Sequence, residues 1–317
     1  MIYYNNASAW TSVYLGDKPI SKVYSHLSLV FPYFKVKSVF TDSTSSSITC
    51  DHGTYGVLTA EDVSYGGGSE RKVKTVSAVV GDCVTETIET FSGCTNMVSA
   101  TLPETIVVLG NRTFQGCSGL TSITIPSGVT TIGNNVFQDC SGLTSVTIPS
   151  GVTQMSFSVF FNCSNLTSVT FQDGCQLSEI DNAAFYNCGM ASITIPSVIT
   201  RIGMNGFGQC RRLSNVMFQE GSQLDTIESM AFQGCSGLTS ITIPSGVTSI
   251  GYDAFRNCVG LESVTVLNAV PPTLGNNAVF LNTNNCPIYV PSGSVDRYKR
   301  ASNWAMYANR IQAIPNT

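Results

Sequence analysis

The chain has 317 residues, only 11% of them charged, and a formal net charge of −4, so it carries no basic footprint for attracting nucleic acid or an anionic membrane. Its longest apolar run, Leu27 to Phe34, is interrupted by Ser28 and Pro32 and falls far short of the roughly 20 residues that span a bilayer. Met1 to Trp10 offers neither the basic nor the apolar segment of a secretory signal.

Taken in chain order, residues 1–70 read as a small β-rich module for anchoring or oligomerisation, joined to itself or to a larger assembly. Val13-Tyr14 and Val23-Tyr24 are ten apart, as are Ile20 and Val30, which suggests two related short strands with turn residues at Gly16-Asp17 and Pro19. Lys35 to Phe40 alternates as a further strand, and Thr41 to Thr49 is a Ser/Thr-rich loop or sheet edge. Gly66-Gly67-Gly68-Ser69 lacks the Gly-Lys-Ser/Thr ending of a phosphate loop and reads as a linker. The run Val13-Tyr14-Leu15-Gly16-Asp17-Lys18, followed by Val23-Tyr24 and Leu29-Val30-Phe31, resembles leader segments of tail or virion proteins of gut bacteriophages. That resemblance implies a virion component, which needs no secretion signal because virions leave by lysis.

From residue 91 onward Phe-x-x-Cys recurs eight times, at Phe91/Cys94, Phe114/Cys117, Phe137/Cys140, Phe160/Cys163, Phe185/Cys188, Phe207/Cys210, Phe232/Cys235 and Phe255/Cys258. Successive Phe spacings of 23, 23, 23, 25, 22, 25 and 23 residues are those of a stacked array with one coil per repeat. Within Leu120 to Cys140, Ile123 and Ile125 alternate with Ser122 and Thr124 as in a strand, Pro126-Ser127-Gly128 turns the chain, and Val129 to Ile132 reads as a second short strand. Phe137 and Cys140 close the coil three residues apart, as on a helical or 3₁₀ turn. The inward set Leu120, Ile123, Ile125, Val129, Ile132, Phe137 and Cys140 stays apolar one period later. A lone coil cannot offset the backbone entropy of ordering it, roughly 1–2 kcal/mol per residue, so neighbours must stack and the ends must be capped. The two 25-residue repeats lengthen only the turn, at Phe171 to Ile180 and Phe218 to Ile227.

Twelve cysteines would ordinarily suggest a disulfide scaffold. Eight of them share one repeat position, however, and stacked coils leave them as a column with parallel Cα–Cβ vectors, about 4.8 Å apart and not inclined toward one another. They read as buried thiols. No metal site is expected, because the histidines are His26 and His52, both outside the array. Cys50, Cys83, Cys175 and Cys286 lie off the ladder.

The segment Cys235-Ser236-Gly237-Leu238-Thr239-Ser240-Ile241-Thr242-Ile243-Pro244-Ser245-Gly246-Val247-Thr248-Ser249-Ile250-Gly251 resembles the BspA-type leucine-rich repeat family, and the resemblance runs over residues 75–291. It implies an extracellular or surface protein concerned with adhesion. The expected fold is mainly β: a right-handed leucine-rich-repeat-like solenoid of 22–25-residue coils, with the N-terminal β module at 1–70, the solenoid at 71–270, and a last coil with a C-terminal helix cap at 271–317. Ser294 is placed to N-cap that helix with Asp296 in its first turn. Val295, Tyr298, Trp304, Tyr307 and Ile311 can face the last coil while Arg297, Lys299 and Arg300 stay wet.

Catalytic chemistry is not expected. There is no Gly-x-Ser-x-Gly elbow, and a Ser or Cys nucleophile in the array would need a histidine from another module. Glu179/Asp181 and Glu86/Glu89 could imitate a carboxylate dyad but read as turn and edge solvation. No cofactor or metal is implied. The remaining candidate site is the outward sheet face made by Ser122, Thr124, Ser145, Thr147, Ser168, Thr170, Ser192, Thr194, Asn215, Met217, Ser240, Thr242, Ser263 and Thr265, ending near Tyr289. Such a face could dock an extended protein or glycan of a cell surface through many weak hydrogen bonds, although Ser and Thr also simply suit an exposed sheet. Asn215 and Met217 break its monotony. The expectation is a non-catalytic recognition or adhesion protein, extracellular and on a virion in preference to a bacterial cell, with a surface adhesin or a structural spacer as alternatives.

Overall fold

The computed structural model describes residues 86–315 throughout, and before them the backbone of strands Tyr14–Leu15, Lys18–Pro19, Val36–Phe40, Ser45–Ile48, Gly56–Thr59, Thr75–Val80 and Val84–Ile88. The sequence readings at Val23-Tyr24, Gly66 to Ser69, His26, His52, Cys50 and Cys83 lie outside the described residues.

Each coil contributes one strand to each of two parallel ladders. Val146 and Ile148 are buried, and Ser145 and Thr147 are exposed, in the strand Ser145–Ile148, which pairs in parallel register with Ser168–Phe171 as Ser145↔Ser168 through Ile148↔Phe171. The same alternation recurs in Ser192–Ile195, Ser240–Ile243 and Ser263–Val266. On the other side of the core, two-residue strands such as Thr131–Ile132 and Gln154–Met155 stack in register. The coil read most closely from sequence, Leu120 to Cys140, keeps Ile123 and Ile125 buried, yet its first strand is reduced to a single bridge, Ser122↔Ser145.

The Phe column fills the space between the ladders. Nine rings from Phe91 to Phe280 are stacked at centroid separations of 5.2–5.5 Å and interplanar angles of 3–17°, within the range where offset stacking adds to burial. Because every side chain repeats at the coil rise, the rings meet face to face with the offset set by the backbone.

A third ladder runs through the Phe corner. Residues two before and two after each Phe from Phe91 to Phe255 adopt the left-handed region, for instance Asn135 at φ 59° and Asp139 at φ 60°. This turns alternate amides the same way. Asn135, Phe137 and Asp139 N–H donate to the carbonyls of Phe157, Val159 and Phe161 in the next coil at 3.1, 2.8 and 2.8 Å. The position two after the Phe carries Gly, Asp, Asn or Gln in successive coils, mostly the residue types that tolerate positive φ.

None of the ten described cysteines is in a disulfide, and all are buried. The column is polarised in a regular way: Cys117, Cys140, Cys163, Cys188, Cys210, Cys235 and Cys258 each donate the S–H to the carbonyl of the Phe one coil earlier, at 3.0–3.1 Å. The Cys175 and Cys286 side chains, off the ladder, are likewise unbridged.

The N-terminal strands continue the second ladder and form a further four-stranded sheet. Gly56–Thr59 pairs in parallel with Val84–Ile88, which leads into the second ladder. Thr75–Val80 lies between Val36–Phe40 and Ser99–Thr101. Ser45–Ile48 forms the outer strand of that sheet, so the Ser/Thr-rich segment is an edge. Tyr14–Leu15 pairs antiparallel with Lys18–Pro19.

At the other end the cap is less helical than expected. The helix covers only Val295–Arg300, and Ile311–Ala313 is a strand that pairs with Ile288–Val290, Ile311 opposite Ile288. Tyr298, Trp304, Tyr307 and Ile311 are buried as expected. Ser294 makes no capping bond to the helix; its hydroxyl donates to the Ala269 carbonyl at 2.8 Å. The reason is general to this end. The last coil's carbonyls have no following coil, and side chains replace it: Tyr298 Oη donates to Asn268 O at 2.7 Å, Trp304 Nε1 to Pro272 O at 2.7 Å, Asn303 Nδ2 to Leu274 O at 2.9 Å and Arg310 Nε to Cys286 O at 2.8 Å. An unpaired buried carbonyl costs more than a neutral bond contributes, so the cap is built of donors.

Candidate functional site

The candidate face is one surface of the first ladder. Ser122, Thr124, Ser145, Thr147, Ser168, Thr170, Ser192, Thr194, Asn215, Met217, Ser240 and Thr242 are exposed, and Ser263, Thr265 and Tyr289 are half-buried toward the cap. Ladder pairing aligns Ser145 with Ser168, Ser192 with Asn215, Thr194 with Met217, Ser240 with Ser263 and Thr265 with Tyr289. The columns are therefore real, but the sheet is in three pieces. Ser168–Phe171 and Asn215–Phe218 have no ladder to the strand after them, and these are the two strands followed by the longer turns, Phe171 to Ile180 and Phe218 to Ile227. Two extra residues shift the coil after them, and the seam falls where the sequence changes length.

Just before each strand a further column of hydroxyls turns back onto the backbone. Thr144, Thr167, Ser214 and Thr239 donate to the carbonyls of Thr121, Thr144, Ala191 and Ser214 at 3.0–3.2 Å. Those hydroxyls are engaged within the sheet, whereas the residues of the candidate face alternate outward from it.

The coil Cys210 to Phe218 keeps apolar residues at its inward positions and departs from its neighbours in character at outward ones. Where Cys235-Ser236-Gly237-Leu238-Thr239-Ser240-Ile241-Thr242 represents the common pattern, this coil has Arg211, Arg212, Asn215 and Met217, all exposed, around a retained core of Leu213 and Val216. Asn215 and Met217 were legible as departures. The Arg211-Arg212 pair beside them was missed because it lies in the turn before the strand, outside the alternating pattern.

Chemistry elsewhere is quiet. Glu179 and Asp181 do not form a dyad. Arg201 binds Glu179 Oε2 at 2.6 Å and Asp181 Oδ1 at 3.4 Å, with Glu228 Oε1 at 3.9 Å. Partial burial alone would lower the Arg201 pKa, but the hydrogen bond and charge of Glu179, with the charge of Asp181, hold it above its ordinary value. Glu89 pairs with Arg112 at 2.9 Å. Burial pushes the Cys140 and Cys210 thiols up to about 12, and Cys163 and Cys188 well above the usual value, which removes at these positions the thiolate that nucleophilic or metal chemistry requires. Among the described residues no group of three or more His, Cys, Asp or Glu could hold a metal ion, and no helix is long and apolar enough to cross a membrane.

Comparison with known proteins bears on the family. Solved structures similar to this chain include a leucine-rich cell surface protein of Faecalibacterium prausnitzii A2-165, at 21% identity over 95% of this chain and 100% of the other, with a TM-score of 0.48. A leucine-rich repeat protein of Eubacterium ventriosum ATCC 27560 matches at 20% identity over 81% of this chain and 76% of its own, with a TM-score of 0.47. No curated protein matches. The description of the BspA type leucine rich repeat region, in six copies, fits residues 86–177 and 175–287. With the coil period, the two parallel ladders and the Phe column already in place, the chain belongs to the BspA-type leucine-rich repeat family.

Proposed function

We propose that this is a non-catalytic recognition protein whose Ser/Thr sheet face docks an extended protein or glycan of a cell surface. The observation that carries the reading is the outward face itself: register-aligned within each of its three pieces, exposed over six coils and half-buried in the seventh, and made of side chains whose hydroxyls and amide face solvent while every core position is spent on packing. Shallow sheet surfaces of this kind gain affinity from many small contacts together. Glu179 and Asp181, the carboxylate pair nearest in pattern to a hydrolase dyad, are held by Arg201, and burial keeps the Cys140 and Cys210 thiols neutral, which supports recognition over catalysis.

Residues 1–70 serve in this reading as the anchoring or oligomerising module, 71–270 as the display array and 271–317 as its cap. The setting is extracellular. Family membership favours a bacterial cell surface, and the leader resemblance at Val13 to Phe31 keeps display on a virion as the second setting. The test is binding to protein and glycan arrays by the full chain and by the double variant Thr147→Lys/Thr242→Lys, whose new side chains stand on the face. Loss of signal with an unchanged melting temperature supports the reading. Signal retained by the variant, or no ligand at all on either array, removes it, the second result pointing to a structural spacer.

A further inference from the structure

Between residues 86 and 294 the chain has twelve carboxylates, five arginines and no lysine. Three of those arginines, Arg112, Arg201 and Arg256, are in ion pairs with carboxylates. Arg211 and Arg212 are not, among the described residues. Arg211 reaches only the Gln209 side chain, at 3.4 Å, and both are exposed. Two adjacent cations without a carboxylate, in a stretch so rich in carboxylates, are poised for charge from outside. Their next-coil counterparts are small: Arg211 corresponds to Ser236 and Arg212 to Gly237, where an added Cβ would come within 2.6 Å of the Arg211 carbonyl.

The same coil places Asn215 and Met217 on the sheet face a few residues further on, with Met217 47% exposed. Its strand also borders a seam, being paired to Ser192–Ile195 on one side and without a ladder on the other. A cationic pair in the turn, and an amide and a soft apolar side chain on the strand that follows it, thus succeed one another along one coil.

We propose that the coil Cys210 to Phe218 is the specificity-determining patch of the recognition face and that it takes an acidic polypeptide segment, with Arg211 and Arg212 receiving carboxylates and Met217 receiving an apolar side chain. A flexible, polarisable Met suits varied apolar partners, and complementary charge gives selectivity and rate of encounter. A sugar ring would instead need an open aromatic platform. The nearby pair Phe161 and Tyr186 is spent on itself, ring on ring at 4.8 Å, and Gly208 backs the Tyr186 ring at its other side. The inference rests on the recognition reading above and narrows it to a coil and a ligand class.

The test is fluorescence anisotropy with the full chain and a labelled nonapeptide of three Glu-Glu-Leu units, against its Lys-Lys-Leu counterpart, at low and at physiological salt. The acidic peptide should bind and the basic one should not. The variant Arg211→Gln/Arg212→Gln should weaken binding roughly tenfold, Met217→Thr about threefold, and Arg211→Lys/Arg212→Lys should restore most of the loss, all at unchanged melting temperature. The cap variant Arg297→Gln/Arg300→Gln, which removes two exposed cations elsewhere, should leave binding unchanged. Absence of binding to the acidic peptide, undiminished binding in Arg211→Gln/Arg212→Gln, loss in the cap variant, or preference for a sulfated glycan over the peptide would each overturn the proposal. If Thr147→Lys/Thr242→Lys abolishes array binding while Arg211→Gln/Arg212→Gln does not, the face reading stands and this patch falls.

Discussion

The Tyr307 hydroxyl accepts a hydrogen bond from the Phe280 amide at 3.1 Å and donates one to the Asn277 carbonyl at 2.6 Å. Phe280 is the last ring of the stack, and its amide is the position that in every earlier coil donates forward to the next one. One phenol therefore ends the third ladder. Replacing it by Tyr307→Phe keeps the ring and strands both groups, and is expected to cost about 1–3 kcal/mol, read as a lower urea midpoint. Hydrogen exchange at Phe280 should rise more than at Phe114 or Phe137, because the opening starts from the exposed end.

Mid-array, Phe185 stacks on both Phe160 and Phe207 at 5.4 Å. Phe185→Ala should destabilise by about 3–5 kcal/mol, and in a nearest-neighbour array it should also split unfolding into two transitions, one for each half. Phe185→Leu, which keeps volume but not the stack, should cost less and preserve one transition. Denaturant unfolding followed by circular dichroism distinguishes them.

For the thiols the sign is fixed by burial. The neutral form is favoured in the fold, with Cys140 and Cys210 raised to about 12, against roughly 8.5 in an unfolded chain. Between those values the unfolded state has lost protons that the folded state keeps, so stability is full below about pH 8.5 and falls as pH rises toward 12. The buried Tyr307 phenol, raised by burial, adds in the same direction at the alkaline end. Urea midpoints measured from neutral to alkaline pH should drop, and Cys140→Ala/Cys210→Ala should flatten the slope while lowering the neutral value.

Reducing agent should leave the melting temperature unchanged, since none of the ten described cysteines is in a disulfide, and thiol labelling of the native protein should be slow, as expected for buried thiols. A fall in melting temperature on reduction would show a bridge that the described residues do not contain.

Arg201 holds Glu179, Asp181 and Glu228 on the second ladder. Arg201→Gln leaves three like charges together and is expected to cost under about 1 kcal/mol, because the group is partly solvated. The loss should grow at low salt, where mutual repulsion is less screened, and thermal melts across a salt series would show it.

Much of this was determined by the sequence. A Phe-x-x-Cys period of 22–25 residues allows only stacked coils, and strict alternation at Ser145 to Ile148 assigns each side chain to the core or to solvent, because a strand's period is two. The freedom of the thiols followed as well, since a column of identical positions cannot incline its Cβ atoms toward one another. What the tertiary structure decided were the relations between coils. That each S–H answers the Phe carbonyl one coil back, that Arg201 ties up Glu179 and Asp181, that Ser294 serves Ala269 and not its helix, and that Ile311 closes a sheet all depend on which residues of different coils come opposite. The same holds for the candidate face. Its hydroxyl columns were readable as a pattern, but its seams, and the unpaired Arg211-Arg212 beside Asn215 and Met217, arise from length changes and missing carboxylate partners that only the stacked arrangement brings into contact.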